Sequence, residues 1–184
     1  MSRQFWNETL AWATGDGASV NSANVETILF PNVVVPANFL QDGRCLRLRV
    51  LGKWTTTGST PTMIFGVRWG GVGGTLLCKT AAITTVASQT AAMWDFDVLI
   101  QTRSNGSSGS LMCNGVCRAF AGVAGTIASV TGEGLLTPMT NGGVITPAAV
   151  TVDLTTDTAL SVTVTPSTTA LTLVGLNYTI EALN

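Results

Sequence analysis

The sequence contains no histidine, and only 10% of its 184 residues are charged. Histidine is the side chain whose ordinary pKa lies nearest neutrality, so its absence removes the commonest general base and the commonest metal ligand. A serine or cysteine nucleophile would also have no imidazole to activate it. Soluble domains average about 25% charged residues, so this chain must cover its surface largely with hydroxyl, amide and backbone groups. The composition favours a structural or binding protein over an enzyme.

Long apolar runs are also missing, although hydrophobic residues make up 46% of the chain and its mean hydropathy is +0.40. One long uncharged stretch, residues 134–152, is interrupted by prolines, glycines and an asparagine, whereas a membrane-spanning helix needs about 20 mainly apolar residues. The first residues, MSRQFWNETLAW, lack the apolar centre of a secretory signal peptide. We therefore expect no membrane partner, and we expect part of the apolar surface to be buried against other protein subunits.

Positive charge is scarce and unevenly distributed. The chain has nine Lys and Arg against ten Asp and Glu, and the sequence pI is about 5.2. All nine basic residues lie at or before Arg118. Nucleic-acid binding calls for a basic stripe and a domain pI above about 9, so no nucleic-acid partner is expected.

The four cysteines are too dispersed to indicate a metal site. No Cys-x-x-Cys pair occurs, and without histidine a zinc site would need all four thiols to converge. Cys113 and Cys117 lie in one predicted strand, where their Cα atoms would be about 13 Å apart, beyond the roughly 7 Å that a disulfide tolerates. We therefore expect free, buried thiols, as in a protein made in a reducing cytoplasm, with no cofactor and no metal.

Apolar and polar residues alternate with a period of two from Val25 onward, which is typical of half-buried strands. The alternation is clearest in residues 44–50, 62–69 and 93–103. Further strands are predicted near residues 25–35, 75–86, 111–120, 144–154, 159–164 and 170–182, separated by turns rich in Gly, Pro, Asn and Asp.

Short strands separated by such turns predict an all-β chain, folded as an antiparallel β-sandwich. The strands are half-buried rather than continuously apolar, which argues against a parallel α/β sheet. Immunoglobulin domains contain about 100 residues, so a length of 184 residues favours a jelly-roll-like sandwich. We expect residues 25–184 to form this single domain and residues 1–24 to form a short N-terminal arm.

The predicted arm carries three large aromatic residues, Phe5, Trp6 and Trp12, among Asn, Gly and Ser. Aromatic side chains of this size dominate both protein cores and interface anchors. The arm is therefore expected to dock either on the body of its own chain or on a partner, and the sequence leaves both alternatives open.

Asp95 and Asp97 are the only carboxylates paired closely within a predicted strand. On one strand face their Cα atoms would lie about 6.5 Å apart, which is within reach of a glycosidase-type pair. Arg47, Arg49 and Arg68 also point away from the apolar faces of their strands. Cross-strand or intersubunit ion pairs, or simple solvation of exposed carboxylates, are therefore favoured over catalysis.

Three other features have an ordinary interpretation beside a functional one. Asp153 and Asp157 could help to hold calcium. A calcium ion is coordinated by about six to eight oxygen ligands, however, and one turn rarely supplies that many. Residues 104–109 form a flexible tip that could touch a ligand, although a hairpin loop is the simpler interpretation. Trp54 and Trp69 could stack on a sugar, but packing at the edge of the core is favoured.

Several motifs in the first two thirds of the chain resemble those of a family of virion proteins from tailed bacteriophages. They are PANFLQDGRCLRLRV (residues 36–50), Gly52, TTTGSTPT (55–62), VRWG (67–70), TLL (75–77), Trp94, LIQTR (99–103) and GSSG (106–109). The resemblance covers about residues 30–120, and the C-terminal third follows no pattern of the family.

The resemblance implies a small β-sandwich subunit carried on a phage particle. The favoured function is a capsid cement (decoration) protein, a homotrimer that binds the major capsid protein on the outer capsid surface after synthesis in the host cytoplasm. The interface residues expected from patterning and aromatic anchoring are Phe5, Trp6, Trp12, Arg47, Arg49 and Arg68. The alternative is a tail or receptor-binding module that recognises a host surface glycan, with a tip site at Trp69, Asn105 or Trp54. Neither function is enzymatic.

Overall fold

The computed structural model describes residues 7–120, 135–141 and 147–183 of the chain. Over these ranges the chain contains strands and turns but no helix, and so none long and apolar enough to cross a membrane. The strands are β1 (Asn7–Trp12), β2 (Thr27–Ile28), β3 (Val33–Val35), β4 (Cys45–Thr56), β5 (Thr62–Trp69), β6 (Thr75–Lys79), β7 (Ile83–Thr84), β8 (Ala92–Ser104), β9 (Gly109–Ala119), β10 (Leu135–Thr140), β11 (Ala149–Val152), β12 (Thr158–Pro166) and β13 (Leu171–Leu183).

The strands form one continuous sheet that folds over on itself, and every ladder in the described part of the chain is antiparallel. The hydrogen-bonded order is β1-β13-β4-β8-β9-β10-β6-β5-β12-β2, with β11 beside β9, β3 beside β12 and β7 beside β5. The first layer is β1, β13, β4, β8 and β9, and the second layer is β6, β5, β12 and β2. Strand β10 joins the layers, because it pairs with β9 along its length and with β6 at Thr140.

The core lies between the inner faces of the two layers. Phe65 of β5 packs against two aromatic rings of β8, with centroid distances of 4.4 Å to Trp94 and 5.9 Å to Phe96. These three side chains are at most 1% exposed. The all-β, sandwich-like fold predicted from the sequence is confirmed.

The period-two patterns of the three clearest segments correspond to the buried faces of β4, β5 and β8. The inward residues that the alternation predicts are all at most 6% exposed: Leu46, Leu48, Val50, Met63, Phe65, Val67, Trp69, Trp94, Phe96, Val98 and Ile100. Burying one such side chain contributes about 1.5–3 kcal/mol, so the alternation fixes which face of each strand turns inward.

The N-terminal part of the chain is a strap, residues 7–35, that runs along the outer edges of both layers. Residues 7–20 follow β13, first as strand β1 and then through hydrogen bonds such as Val20 N to Leu173 O at 2.8 Å. Residues 24–35 follow β12, through β2, β3 and a bond from Leu29 N to Val162 O at 2.9 Å. The strap therefore connects the two layers on the side opposite β10.

Two strands were not anticipated from the sequence. Residues 7–12 lie in the predicted arm but form strand β1, because their backbone completes the edge of β13. Strand β10 contains Pro138 in an uncharged stretch that carries no period-two signal. The division into an arm of residues 1–24 and a domain of residues 25–184 stays a prediction.

Candidate binding groove on the first layer

A groove of about 650 Å³ opens on the outer face of the first layer. Its polar and apolar walls come from β4, β8, β9 and β13, whose alternation turns every second side chain away from the core. The outward side chains that line it are Arg49, Leu51, Met93, Asp95, Asp97, Arg118, Asn177 and Thr179.

Asp95 and Arg118 form one wall of the groove. They face each other directly in the β8–β9 ladder. Arg118 Nε donates to Asp95 Oδ1 at 3.0 Å and to Oδ2 at 3.1 Å, and Arg118 Nη2 donates to Oδ2. The Asp95 side chain is 18% exposed and that of Arg118 is 51% exposed, so the guanidinium holds the carboxylate and still presents donors to solvent.

Asp97 forms a second cluster with two arginines of β4. Arg49 faces it across the ladder and donates from Nε to Oδ2 at 3.3 Å, while Arg47 Nε donates to Oδ1 at 3.1 Å. The hydrogen bonds from Arg47 outweigh partial burial and lower the pKa of Asp97, with further help from the positive charges of Arg47 and Arg49. Both aspartates therefore point into cross-strand ion pairs, as predicted.

The far wall depends on a bulge in β13. The register against β4 shifts between Gly175 and Asn177, and such an extra residue re-aims the side chains next to it. A Cβ at Gly175 would lie 2.3 Å from the Phe30 ring, so the bend needs glycine. The bulge leaves the Asn177 amide exposed, next to Thr179 on the same wall.

This arrangement suits hydrogen bonding better than proton transfer. A glycosidase needs one carboxyl group that holds a proton near neutral pH, whereas the lowered pKa of Asp97 keeps it ionised, and Asp95 accepts hydrogen bonds from Arg118. Among the described residues, no group of three or more His, Cys, Asp or Glu side chains could hold a metal ion.

The predicted interface residues lie on different parts of the molecule. Trp12 is 60% exposed at the end of β1, and Arg47 and Arg49 lie on the groove side of the first layer. Phe5 and Trp6 lie outside the described residues. Their roles as interface residues stay predictions.

Arg68 does not share a face with the other two arginines, because it lies on β5 and points away from the core on the second layer. There it forms the strap clamp, which we define as Glu26, Arg68 and Thr163. Arg68 Nε and Nη2 donate to the two oxygens of Glu26 at 2.6 and 2.7 Å, and Thr163 Oγ1 donates to Glu26 Oε1 at 2.6 Å. The clamp fastens the strap to the second layer.

The tryptophans named for a glycan-binding tip are not available for stacking, which corrects that part of the alternative. Trp54 is 1% exposed and Trp69 is 6% exposed, and Trp69 Nε1 donates to the Asp153 carbonyl oxygen at 3.2 Å. Both belong to the core, since each brings a large apolar area. Asn105 is exposed in the β8–β9 hairpin loop, where its side chain donates to Gln41 Oε1 at 2.8 Å.

The carboxylates considered for calcium accept hydrogen bonds from other groups of the chain instead. Asp153 Oδ1 accepts hydrogen bonds from the backbone N and the hydroxyl of Thr155, at 2.8 and 2.6 Å. Asp157 Oδ1 accepts from Ala37 N at 2.8 Å. Both aspartates therefore stabilise turns.

Met93, Arg118, Asn177 and Thr179 line the groove but were not among the site residues predicted from the sequence. The outward position of Arg118 could have been found from the alternation of residues 111–120, and that of Met93 from the alternation of residues 93–103. Asn177 carried no such signal, because a bulge breaks the period of two.

Comparison with known proteins gives a distant structural likeness. No family model matches the chain, and no curated protein matches it. The fold is similar to that of the CBM2 module of the evolved Dit of Lactobacillus casei BL23 phage J-1, with 9% identity, a TM-score of 0.40, and coverage of 99% of this chain and 98% of that one. A likeness this distant assigns neither a fold family nor a function.

Proposed function

We propose that this chain is a binding module of a tailed-phage particle, and that its groove binds an uncharged saccharide of the bacterial surface. The observation that carries the proposal is a set of polar side chains from neighbouring strands, which ion pairs hold in place on the outer face of the first layer. Asp95 and Asp97 are fixed by arginines of neighbouring strands, so their remaining hydrogen-bonding capacity is preorganised.

Sugar hydroxyls match such a set of groups. A carboxylate or a guanidinium bonds two adjacent hydroxyls at once, and the Asn177 amide both donates and accepts. Met93, 46% exposed in the groove, offers an apolar surface to the C–H face of a sugar ring. Binding sites commonly combine a few fixed polar groups with apolar walls in this way.

The charge balance favours a neutral ligand. Arg49 and Arg118 offset Asp95 and Asp97 within the groove, so no single sign dominates. A phosphate-rich ligand or a nucleic acid would require an excess of arginine or lysine in the groove. Hydroxyl groups need no net charge opposite them.

A role without catalysis agrees with the same geometry. The chain contains no histidine, and arginines bond both groove carboxylates. The placement on a phage particle is supported by the motifs of about residues 30–120 and by a compact sandwich suited to display.

Binding to bacterial surface glycans tests the proposal. We expect the purified protein to bind a subset of polysaccharides on a bacterial glycan array, and Asp95→Asn to weaken that binding about tenfold, or 1.4 kcal/mol. Glu8→Gln is the matched control, since it removes one carboxylate from edge strand β1 outside the groove. Equal loss in both variants, or no glycan bound by the wild type, would refute the proposal.

Capsid cement remains the second candidate, because apolar side chains are exposed beside the groove. Leu99 is 38% exposed and Val116 is 39% exposed on the same outer face, and such residues suit burial against a capsid subunit. This function predicts a homotrimer in solution and hundreds of copies on each purified particle. A receptor-binding module predicts few copies, so gel densitometry of particles separates the two.

A further inference from the structure

Two buried cysteines from strands that are not paired with each other meet at the corner where the sheet folds over. Cys113 Sγ of β9 lies 2.8 Å from Cys78 Sγ of β6, and the two residues are 35 positions apart in sequence. Both side chains are 0% exposed and both thiols are free. Strand β10 stands between β6 and β9, and its last residue, Thr140, pairs with the neighbours of both cysteines, Lys79 and Asn114.

We propose that Cys78 and Cys113 are an oxidation site, and that a peroxide converts them into a disulfide that joins the two layers at this corner. A disulfide needs Sγ atoms about 2.05 Å apart, so the sulfurs must approach each other by about 0.8 Å from their separation of 2.8 Å. Cα atoms of β6 and β9 approach within 8 Å. The backbones of the two strands are therefore already close together at this corner.

The chemistry balances with hydrogen peroxide as the oxidant. One thiolate attacks a peroxide oxygen, which breaks the O–O bond and gives a sulfenic acid and the first water. The second sulfur then attacks the sulfenic sulfur, forms the Sγ–Sγ bond and displaces the second water. Two S–H bonds are lost, the sulfurs are oxidised by two electrons, and the peroxide is reduced to two waters.

Burial makes the reaction slow in the closed protein. It raises the pKa of Cys78 well above its ordinary value, and the neighbouring Cys113 thiol raises it further, so the reactive thiolate is scarce. Oxidation therefore depends on opening of the corner, and the product stays protected once the corner closes. The other two cysteines differ: Cys45 is only half-buried on β4, and the pKa of Cys117 is raised to about 12, mainly by burial.

Peptide mapping after oxidation tests the proposal. Trypsin releases Cys78 in residues 69–79 and Cys113, together with Cys117, in residues 104–118. The Cys117→Ala variant leaves Cys113 as the single thiol of the second peptide. Reduced wild-type protein and this variant would be warmed with hydrogen peroxide, denatured, alkylated and digested without reductant.

We expect peptide 69–79 linked to peptide 104–118 in both proteins, and a rise in Tm of roughly 5–10 °C that dithiothreitol reverses. Cys113→Ala should lose the linkage. If this variant does not fold, the presence or absence of the linked peptides in the wild type and in Cys117→Ala tests the proposal. Alkylation of both Cys78 and Cys113 after oxidation, their over-oxidation to sulfinic acids, or a linkage through Cys117 or Cys45 would overturn the proposal.

Discussion

The outer faces of the two layers carry the same kinds of ion pair but use them differently. On the first layer, Asp97 is bonded by arginines whose side chains are 36% and 55% exposed. On the second layer, Arg68 and Glu26 of the strap clamp are each 22% exposed. The first face leaves its charges open in a groove, while the second covers them with the strap.

The two faces differ in which parts of the chain their ion pairs connect. Partners on neighbouring strands, such as Asp97 and Arg49, are already fixed by the ladder, so their ion pair adds little to stability and remains free to bind a ligand. Glu26 comes from the strap just before β2, and its bond to Arg68 of β5 reaches across β12, which lies between those two strands. In this molecule the exposed Asp97–Arg49 pair lies at the groove, and the covered pair fastens the strap.

The core beneath both faces should respond most strongly to substitution. Phe65→Ala removes the ring that joins the layers, and we expect a loss of about 3–5 kcal/mol in the free energy of unfolding, measured by urea denaturation. Val34→Ala is the control, because Val34 is 61% exposed and should change stability by less than about 0.5 kcal/mol. A loss below about 1 kcal/mol for Phe65→Ala would mean that the two faces do not share one core.

The strap clamp should come next. Glu26→Gln leaves the half-buried Arg68 guanidinium without its carboxylate, and we expect a cost of about 2 kcal/mol. Asp16→Asn is the matched control, since the Asp16–Lys53 pair of the same strap is long, at 3.9 Å, and exposed. Equal effects of the two changes would show that the clamp does not fasten the strap.

Acid should weaken the clamp before it affects the apolar core. Burial alone would raise the pKa of Glu26, but hydrogen bonds from Arg68 and Thr163 outweigh it, so the pKa lies below the ordinary value of 4.5. A pKa lowered by folding gives stability that is present above the unfolded-state value and is lost as pH falls through the folded-state value. Urea titrations at decreasing pH should therefore show a smaller acid-induced loss in Glu26→Gln than in the wild type, and parallel losses would contradict this.

The groove pairs should have the smallest effect on stability. Asp97→Asn is expected to cost about 0.5 kcal/mol, while weakening the binding of any glycan that the wild type selects. Binding titration and urea denaturation of the same sample give both values. A cost as large as that of Glu26→Gln would remove the distinction between the two faces.

Prediction from sequence succeeded where the signal was local. Asp95 and Asp97 were expected on the outward face of a strand with an apolar opposite face, and they lie there because alternation needs only the chain itself. The pairing of Asp95 with Arg118 depends on the β8–β9 register, which the turn at residues 104–109 sets. The pairing of Glu26 with Arg68 and the position of Asn177 had no local signal.

The sequence alone therefore determined that the chain is all-β, which residues turn inward and that catalysis through histidine is impossible. These properties follow from composition and from the alternation of apolar and polar residues within each strand. The tertiary structure decided which strands are neighbours, where the strap runs and which charged groups meet. Those contacts join residues far apart in the chain, and their positions depend on loops and a bulge whose geometry no single strand encodes.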